Sequence, residues 1–382
     1  MDQKSWEKDA KKHAPGQGEG PGPRAAPLAR IIDAALMRAG GWLPFDRFMA
    51  LALYAPGLGY YAGGRRKFGA MPASGSDFVT APELTPLFGR TLAVQVVEAL
   101  DKTGTDEVWE FGAGSGALAL QLLDALGEKV ARYRIVDLSG SLRARQREAL
   151  ARHGAKVEWL DALPETMRGV VVGNEVLDAM PVRLLARVGG HWFERGVVAV
   201  SGGDGWAWAD RPTECRPPVE IEGGHDYLTE IHPQAEAFVA TLASRLERGA
   251  AFFIDYGFPE AEYYHPQRHM GTVMCHRAHQ ADGDPLADVG EKDITAHVNF
   301  TGIALAAQEA GLSVLGYCTQ ARFLLNCGLL SKEEHPSPAQ RAHMGFLIHE
   351  HEMGELFKVI GLAAGEPWEA VGFGEGDRTH TL

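Results

Sequence analysis

Apolar positions along this chain follow two periods. Leu28, Ile31, Ile32, Ala35 and Leu36 share a stripe, which predicts a helix over 28–39 closed by Gly40-Gly41. A second helix is expected over 44–54, opened by Pro44, and a third over 87–100 from Leu92, Val96 and Leu100. From Val108 onward, short apolar runs of the buried parallel type alternate with helical patterns. They predict strands over 108–111, 133–136, 156–160, 170–173 and 250–254, with helices over 118–126, 141–153 and 234–246. Later strands are expected over 271–275, 313–319 and 357–362, and helices over 302–310 and 339–346. Between 182 and 210 the period switches to two, with Gly189-Gly190 as a hairpin turn and a second strand pair around Ser201 to Gly205.

The fold class that follows is α/β: a doubly wound, Rossmann-like parallel sheet with an N-terminal helical region and an antiparallel β insertion. The expected layout is a disordered tail over 1–27, a helical region with a covering loop over 28–104, and a core over 105–382. Within the core lie the insertion, about 182–232, and loops over about 258–300. The covering loop comprises a basic stretch with Arg65, Arg66 and Lys67, then a turn-rich stretch over 75–89, too long to be a mere connection.

Composition narrows the function classes. A formal charge of −13 over 382 residues argues against a nucleic-acid partner, which needs clustered Lys and Arg. Cys215, Cys275, Cys318 and Cys327 form no C-x-x-C pair, so a reducing compartment and no structural zinc are expected. His265, His269, His276 and His279 with Cys275 make an incomplete metal pattern; no metal is expected, and a surface or substrate-contact loop is the default. The polar tail has no apolar h-region and carries Asp2, Glu7, Asp9 and Glu19, so neither a secretory signal nor a transit peptide is expected, and a bacterial cytoplasmic location is. No apolar run approaches the roughly 18 residues of a membrane span.

The chemistry centres on Val108 to Ala117, a strand that breaks into a glycine turn and enters a helix. Such a loop brings backbone N–H groups close to a nucleotide-type ligand. Two cofactors fit. Gly112-x-Gly114-x-x-Ala117 with Asp137 twenty residues on matches the dinucleotide pattern. Glu110-x-Gly112-x-Gly114-x-Gly116 equally matches a loop for S-adenosylmethionine. Glu110, Asp137, Asp161 and Asn174-Glu175 all fall at strand ends, where the crevice of such a sheet lies. Glu175 and Asp178 are three apart and would share a face on one helical turn; paired carboxylates suit a cationic planar group such as a guanidinium. The alternative is a helix start, with Asn174 as cap and Asp178 in solvent.

Several motifs in order give a more specific resemblance. They are Gly59-Tyr60-Tyr61, Gly75-x-Asp77-Phe78-x-Thr80-Ala81-Pro82-Glu83 with Leu87-Phe88-Gly89, and Glu110 to Gly116. Asn174-Glu175-x-x-Asp178-Ala179-x-Pro181, Ile254-Asp255-Tyr256-Gly257 and Asp293-Ile294-Thr295-Ala296-His297-Val298 follow. Over about 28–328 the chain resembles the MidA-like family of S-adenosylmethionine-dependent methyltransferases, whose mitochondrial members are arginine methyltransferases that modify a complex I subunit during assembly. Asn299 departs from the family, which usually has Asp there. The resemblance implies S-adenosyl-L-methionine as cofactor and a protein substrate. It places Gly112, Gly114 and Gly116 near the methionine part, Asp137 on the ribose, Asp161 at the adenine, and Thr80 and Glu83 over the cofactor. Glu175, with Asn174 and Asp178, becomes the candidate for orienting the guanidinium, and Asp255, Tyr256 and His297 fall on the substrate side. A nicotinamide oxidoreductase and a non-catalytic assembly factor are the competing readings, and the sequence leaves the oligomeric state open.

Overall fold

A run such as Val170-Val171-Val172 has no polar face, so it forms a strand only where both sides are covered. The computed structural model describes residues 27–382 apart from 64–78, 138, 204 and 334. The expected disordered tail, the basic stretch of Arg65, Arg66 and Lys67, and Gly75 to Phe78 lie outside the described residues, except that Pro27 begins the first helix.

Helix α1 (Pro27–Arg38), strand β1 (Leu43–Pro44) and helix α2 (Phe45–Tyr54) come first, then α3 (Ala81–Leu84) and α4 (Leu87–Thr103). The core begins with β2 (Glu107–Phe111), α5 (Ala117–Leu126), β3 (Arg132–Val136), α6 (Gly140–Ala149), β4 (Val157–Leu160) and β5 (Met167–Asn174). Strands β6 (Arg183–Val188), β7 (His191–Ala199), β8 (Trp206–Pro212) and β9 (Tyr227–Ile231) form the antiparallel insertion, with the β6–β7 hairpin where the alternation predicts it. The core resumes with α7 (Pro233–Arg245), the long β10 (Leu246–Phe258) and the short α8 (Glu260–Tyr263). A small sheet of β11 (Met274–Arg277), β12 (Gln280–Asp282) and β13 (Asp293–Thr295) follows, then β14 (Val298–Asn299) and α9 (Phe300–Glu309). The chain closes with β15 (Ser313–Thr319), α10 (Gln320–Asn326), α11 (Pro338–Ile348), α12 (Met353–Leu356) and β16 (Phe357–Ala364).

The large sheet has the order β15-β16-β10-β5-β2-β3-β4. Strands β4, β3, β2, β5 and β10 are parallel, but β16 runs antiparallel between β10 and β15. The parallel sheet expected of the core strands is present, and β16 makes the whole sheet mixed. A strand buried on both faces is apolar throughout, so its pattern carries no sign of its direction. One face packs Val108, Val172 and Phe252 against Leu92, Val96 and Leu122 of α4 and α5. The other packs Trp109, Val171 and Phe253 against Val239 and Leu242 of α7 and Ile303 of α9. A third cluster seats Phe45, Phe48, Met49 and Leu53 of α2 on Leu184 and Val197 of the insertion and Ile294 of β13. Each such buried side chain stabilises by about 1.5–3 kcal/mol, and together they hold α2 beside the C-terminal ends of the core strands.

Register fixes those ends. Phe111 is level with Val136 and Gly173, and Gly173 with Phe253. Gly112, Asp137 and Asn174 therefore stand at one level where β2, β3 and β5 end, beside Ile254 within the longer β10, and Asp255 follows one step on. This level is set where β5 and β10 begin. Gly249 pairs with Gly169 at φ +149° and +121°, and a Cβ on Gly249 would stand 1.8 Å from the Gly169 carbonyl oxygen. Gly249→Ala is therefore expected to lower stability by roughly 3 kcal/mol, from overpacking and backbone strain together. Urea unfolding checks this: the midpoint should fall with an unchanged slope, and an unshifted midpoint would show that the strands can separate there at no cost.

Candidate active site

The glycine loop leaves β2 through three left-handed residues, Gly112 (φ +63°), Gly114 (φ +54°) and Gly116 (φ +88°), a path that side chains resist. It delivers the chain to the start of α5, whose first N–H groups are not used within the helix. Ser115 Oγ donates to Glu83 of α3, and Gln121 Nε2 donates to the Pro82 carbonyl at 2.7 Å. Helix α3, with Thr80 at its N-cap, is thus fastened beside the loop. A cavity of about 1310 Å³ opens there. Asp137 is fixed on its wall: Oδ1 accepts from the Ser139 N–H and Oδ2 from Gln146 Nε2, both at 2.8 Å. Glu110 is 2% exposed and accepts from Tyr133 Oη at 2.6 Å. Burial pushes its pKa up to about 8, against the Tyr133 hydrogen bond and with help from the Asp137 charge.

Strand β5 ends at Asn174, and Glu175 then takes φ +53°, a left-handed conformation that costs a non-glycine residue about 1–3 kcal/mol. The chain turns instead of starting a helix. The expected helical face shared by Glu175 and Asp178 is absent, and Asp178 is 5% exposed rather than in solvent. Asp255 holds this turn. Its Oδ2 accepts from the N–H groups of Val176 (3.1 Å), Leu177 (2.9 Å) and Asp178 (3.2 Å), and Oδ1 from that of Tyr256 (2.9 Å). These four donors draw the carboxylate beneath the turn, so Asp255, expected to contact substrate, is not among the lining residues.

On the cavity side, Asn174 Nδ2 donates to Glu175 Oε1 at 2.9 Å, and Tyr256 Oη donates to Asp178 Oδ2. Burial and then the Asp178 charge push the Glu175 pKa up to about 8, partly offset by Asn174. Burial raises Asp178 as well, against the Tyr256 hydrogen bond. Tyr256 meets His297 edge-on at 5.2 Å. Burial, then Arg268 and Lys358, bring the His297 pKa down to about 4, so its ring is neutral at neutral pH.

Thr80, Glu83, Glu110, Gly112, Gly114, Asp137, Asn174, Glu175, Asp178, Tyr256 and His297 thus line one cavity. Gly116 sits behind it, as the N-cap of α5. Asp161 is the other departure. Its side chain is 92% exposed and pairs with Arg143, whose guanidinium also binds the carbonyls of Asp137 and Leu160 and holds Asp161 outward. Sequence reasoning missed Arg47, Ala50 and Tyr54 as cavity-facing positions, although their spacing marks one face of α2. Thr272, Met274 and His276, with Asp293 and Thr295, line it at strand spacing from the small sheet. Of the four loop histidines, only His276 lines the cavity, and among the described residues no three His, Cys, Asp or Glu side chains are grouped to hold a metal. Asn299, where the family usually has Asp, caps α9 by accepting from the Gly302 N–H at 3.2 Å, which an amide oxygen does as well as a carboxylate.

These residues fit a ligand with polar groups. Asn174 Oδ1, Asp178 Oδ1 and His297 Nδ1 are buried without a hydrogen-bond partner, beside a glycine loop bent to approach a ligand closely. The volume exceeds the ~300–1,000 Å³ of an ordinary small-molecule site, which leaves room for a second reactant.

Comparison with known proteins bears on which ligand this is. A family model described as "Putative S-adenosyl-L-methionine-dependent methyltransferase" matches residues 91–318. A Burkholderia thailandensis protein, crystallised with S-adenosyl-homocysteine, is 51% identical, covers 93% of this chain and 96% of its own, and superposes with a TM-score of 0.88. "Protein arginine methyltransferase NDUFAF7, mitochondrial" of Danio rerio is 28% identical over 85% of this chain and 84% of its own. The Homo sapiens protein of that name is 25% identical over 85% and 81%.

The turn at Glu175 depends on Asp255, and this dependence can be measured. Asp255→Ala leaves four N–H groups without their acceptor and is expected to destabilise the fold by about 2–4 kcal/mol. Crystals or amide exchange of the variant should show 174–180 rearranged. Unaltered exchange protection at Val176, Leu177 and Asp178 would mean that another group holds the turn.

Proposed function

The chain belongs to the S-adenosyl-L-methionine-dependent methyltransferase family, and from that premise we propose that it is a protein arginine N-methyltransferase acting on a subunit of respiratory complex I during assembly. The observation that carries the arginine assignment is the pair of cavity-facing carboxylates, Glu175 and Asp178, beside Tyr54, Tyr61 and Tyr256. Acids bind a guanidinium bidentately and aromatic faces accept its plane. The relatives named as arginine methyltransferases support the same choice, and the complex I target rests on the motif resemblance alone. The setting we assign is the bacterial cytoplasm, consistent with four free thiols. No helix among the described residues is long and apolar enough to cross a membrane.

S-adenosyl-L-methionine supplies, when bound, a methyl group on a positively charged sulfur. The residues assigned to hold it are Gly112 and Gly114 by close backbone approach, Asp137 through hydroxyl groups, and Thr80 and Glu83 from α3. Gly116 shapes the loop from behind. Glu175 orients the guanidinium and receives the proton that the attacking nitrogen gives up. Its raised pKa suits that task, because a carboxylate near neutrality accepts a proton readily. Asn174 steers the Glu175 carboxylate, Tyr256 steers Asp178, and neutral His297 offers an acceptor without adding positive charge. The main contribution of the protein is to place nitrogen and methyl group in line.

Label transfer from radioactive S-adenosyl-L-methionine to respiratory-complex subunits, taken from cells lacking this gene, tests the assignment. Labelled arginine is the expected product; label on lysine, or none on any subunit, would overturn it. Glu175→Gln should lower kcat by about 10²–10⁴-fold while binding of S-adenosyl-homocysteine stays within a fewfold. The pH profile has a definite sign. The Glu175 pKa is raised, so the ionised base is lost below about 8. A nearby bound cation can only lower that value. kcat/KM should therefore rise with pH along a limb at or below about 8, and Glu175→Gln should lack that limb.

A further inference from the structure

A guanidinium carries five N–H donors spread over three nitrogens, whereas an ammonium concentrates three on one atom. One turn bearing Glu175 and Asp178 can serve part of such a plane, and the nitrogens that do not react need an acceptor of their own. We propose that Asp293 is that acceptor: a positioning residue that grips the non-reacting side of the guanidinium and so selects arginine over lysine. The proposal rests on the arginine reading above and deepens it.

The supporting geometry comes from three chain segments. Asp293 opens β13, is 3% exposed and lines the same cavity as Glu175 and Asp178. Its Oδ2 accepts from Tyr61 Oη at 2.7 Å. Tyr61 stacks on Tyr54 with ring centroids 5.6 Å apart and planes at 19°. Tyr54 Oη in turn donates to the Ala179 carbonyl, next to Asp178, at 2.8 Å. One run of contacts thus ties Asp293 to the turn that carries the other two acids, and sets the spacing between them. Pairing with β11 puts Asp293 opposite His276, which also lines the cavity. The charge on Asp293 helps to raise the Glu175 pKa, so the two carboxylates share one electrostatic environment. The adjacent cation, Lys292, is turned away to Asp282 at 2.8 Å. A planar cation reaching both Glu175 and Asp293 relieves their mutual repulsion, whereas a point-like ammonium meets one carboxylate well and the other poorly.

Titration calorimetry on the protein saturated with S-adenosyl-homocysteine tests this, with ethylguanidine and n-butylamine as probes. Wild type should bind ethylguanidine at least tenfold more tightly than n-butylamine. Asp293→Asn should lose most of that preference, weakening ethylguanidine tenfold or more and n-butylamine less than threefold. Tyr61→Phe keeps the carboxylate but removes its anchor, and should give an intermediate loss. Unchanged S-adenosyl-homocysteine affinity in both variants reports an intact fold, and if Asp293→Asn does not fold, Tyr61→Phe carries the test. A preference retained in the folded variants, or no preference in wild type, overturns the role of Asp293. If wild type prefers ethylguanidine but labels no arginine in the complex I assay, the functional reading fails and this one stands.

Discussion

The buried carboxylate of Asp255 is the constraint on which the site depends. Four backbone N–H groups converge on it, three from the turn after β5 and one from its own strand. A chain entering a left-handed residue such as Glu175 would relax toward an ordinary conformation unless something overdetermined it. The convergence on Asp255 does so, and the β10 ladder continues to it through the Glu175 N–H and the Ile254 carbonyl at 2.9 Å. The strain at Glu175 is thereby fixed by the two central strands, whose register runs through the close Gly169–Gly249 contact. Buried hydrogen bonds inside a sheet yield little, so the direction of the Glu175 side chain is set before any ligand arrives.

That arrangement has an electrostatic cost. Asp255, Asp178 and Glu175 stand close enough for their charges to oppose one another, and burial disfavours each ionised form. The raised pKa values express this: the site without a cation keeps protons that exposed carboxylates would lose. The donors are divided to match. Backbone N–H groups serve Asp255, while Asp178 receives a tyrosine and Glu175 an amide. Only the acids on the cavity wall are thus free to answer to a ligand cation.

The glycine-loop side of the cavity was legible in the sequence because its determinants are contiguous. A strand, a glycine turn and a helix start must follow one another within ten residues, and the acid at the end of the next strand follows from the doubly wound pattern. The order and type of the core elements were legible for the same reason. The direction of β16 was not, since a doubly buried strand is apolar whichever way it runs. Asp161 was misplaced because strand-end position does not reveal that Arg143 will draw a side chain outward. Asp255 lay at the right level but on the wrong side of the turn, a difference made by hydrogen bonds to residues 77 to 79 positions earlier. The side of the cavity proposed for the substrate was the least legible. Tyr54 meets Ala179 across 125 positions and Tyr61 meets Asp293 across 232. No local period encodes such pairs; they exist because α2 docks on the antiparallel insertion, and that docking is a property of two separate apolar faces.

The proposed reaction gives these acids a further physical reason. Both reactants, a sulfonium and a guanidinium, are positive, and they must approach to within contact distance in a cavity partly shielded from water. Two unit charges about 4 Å apart repel by about 4 kcal/mol at an effective dielectric of 20. That is enough to weaken binding of the second cation about a thousandfold were it opposed by nothing. Carboxylates on the cavity wall offset the repulsion, and a carboxyl that still holds a proton offsets none of it. Asp178, raised only to about 6, is already ionised at neutral pH, whereas arrival of the first cation lowers the pKa of Glu175, releases its proton and prepares the wall for the second. The raised pKa values and the clustering of acids are therefore two aspects of one arrangement: a pocket whose negative charge grows as its cationic ligands enter.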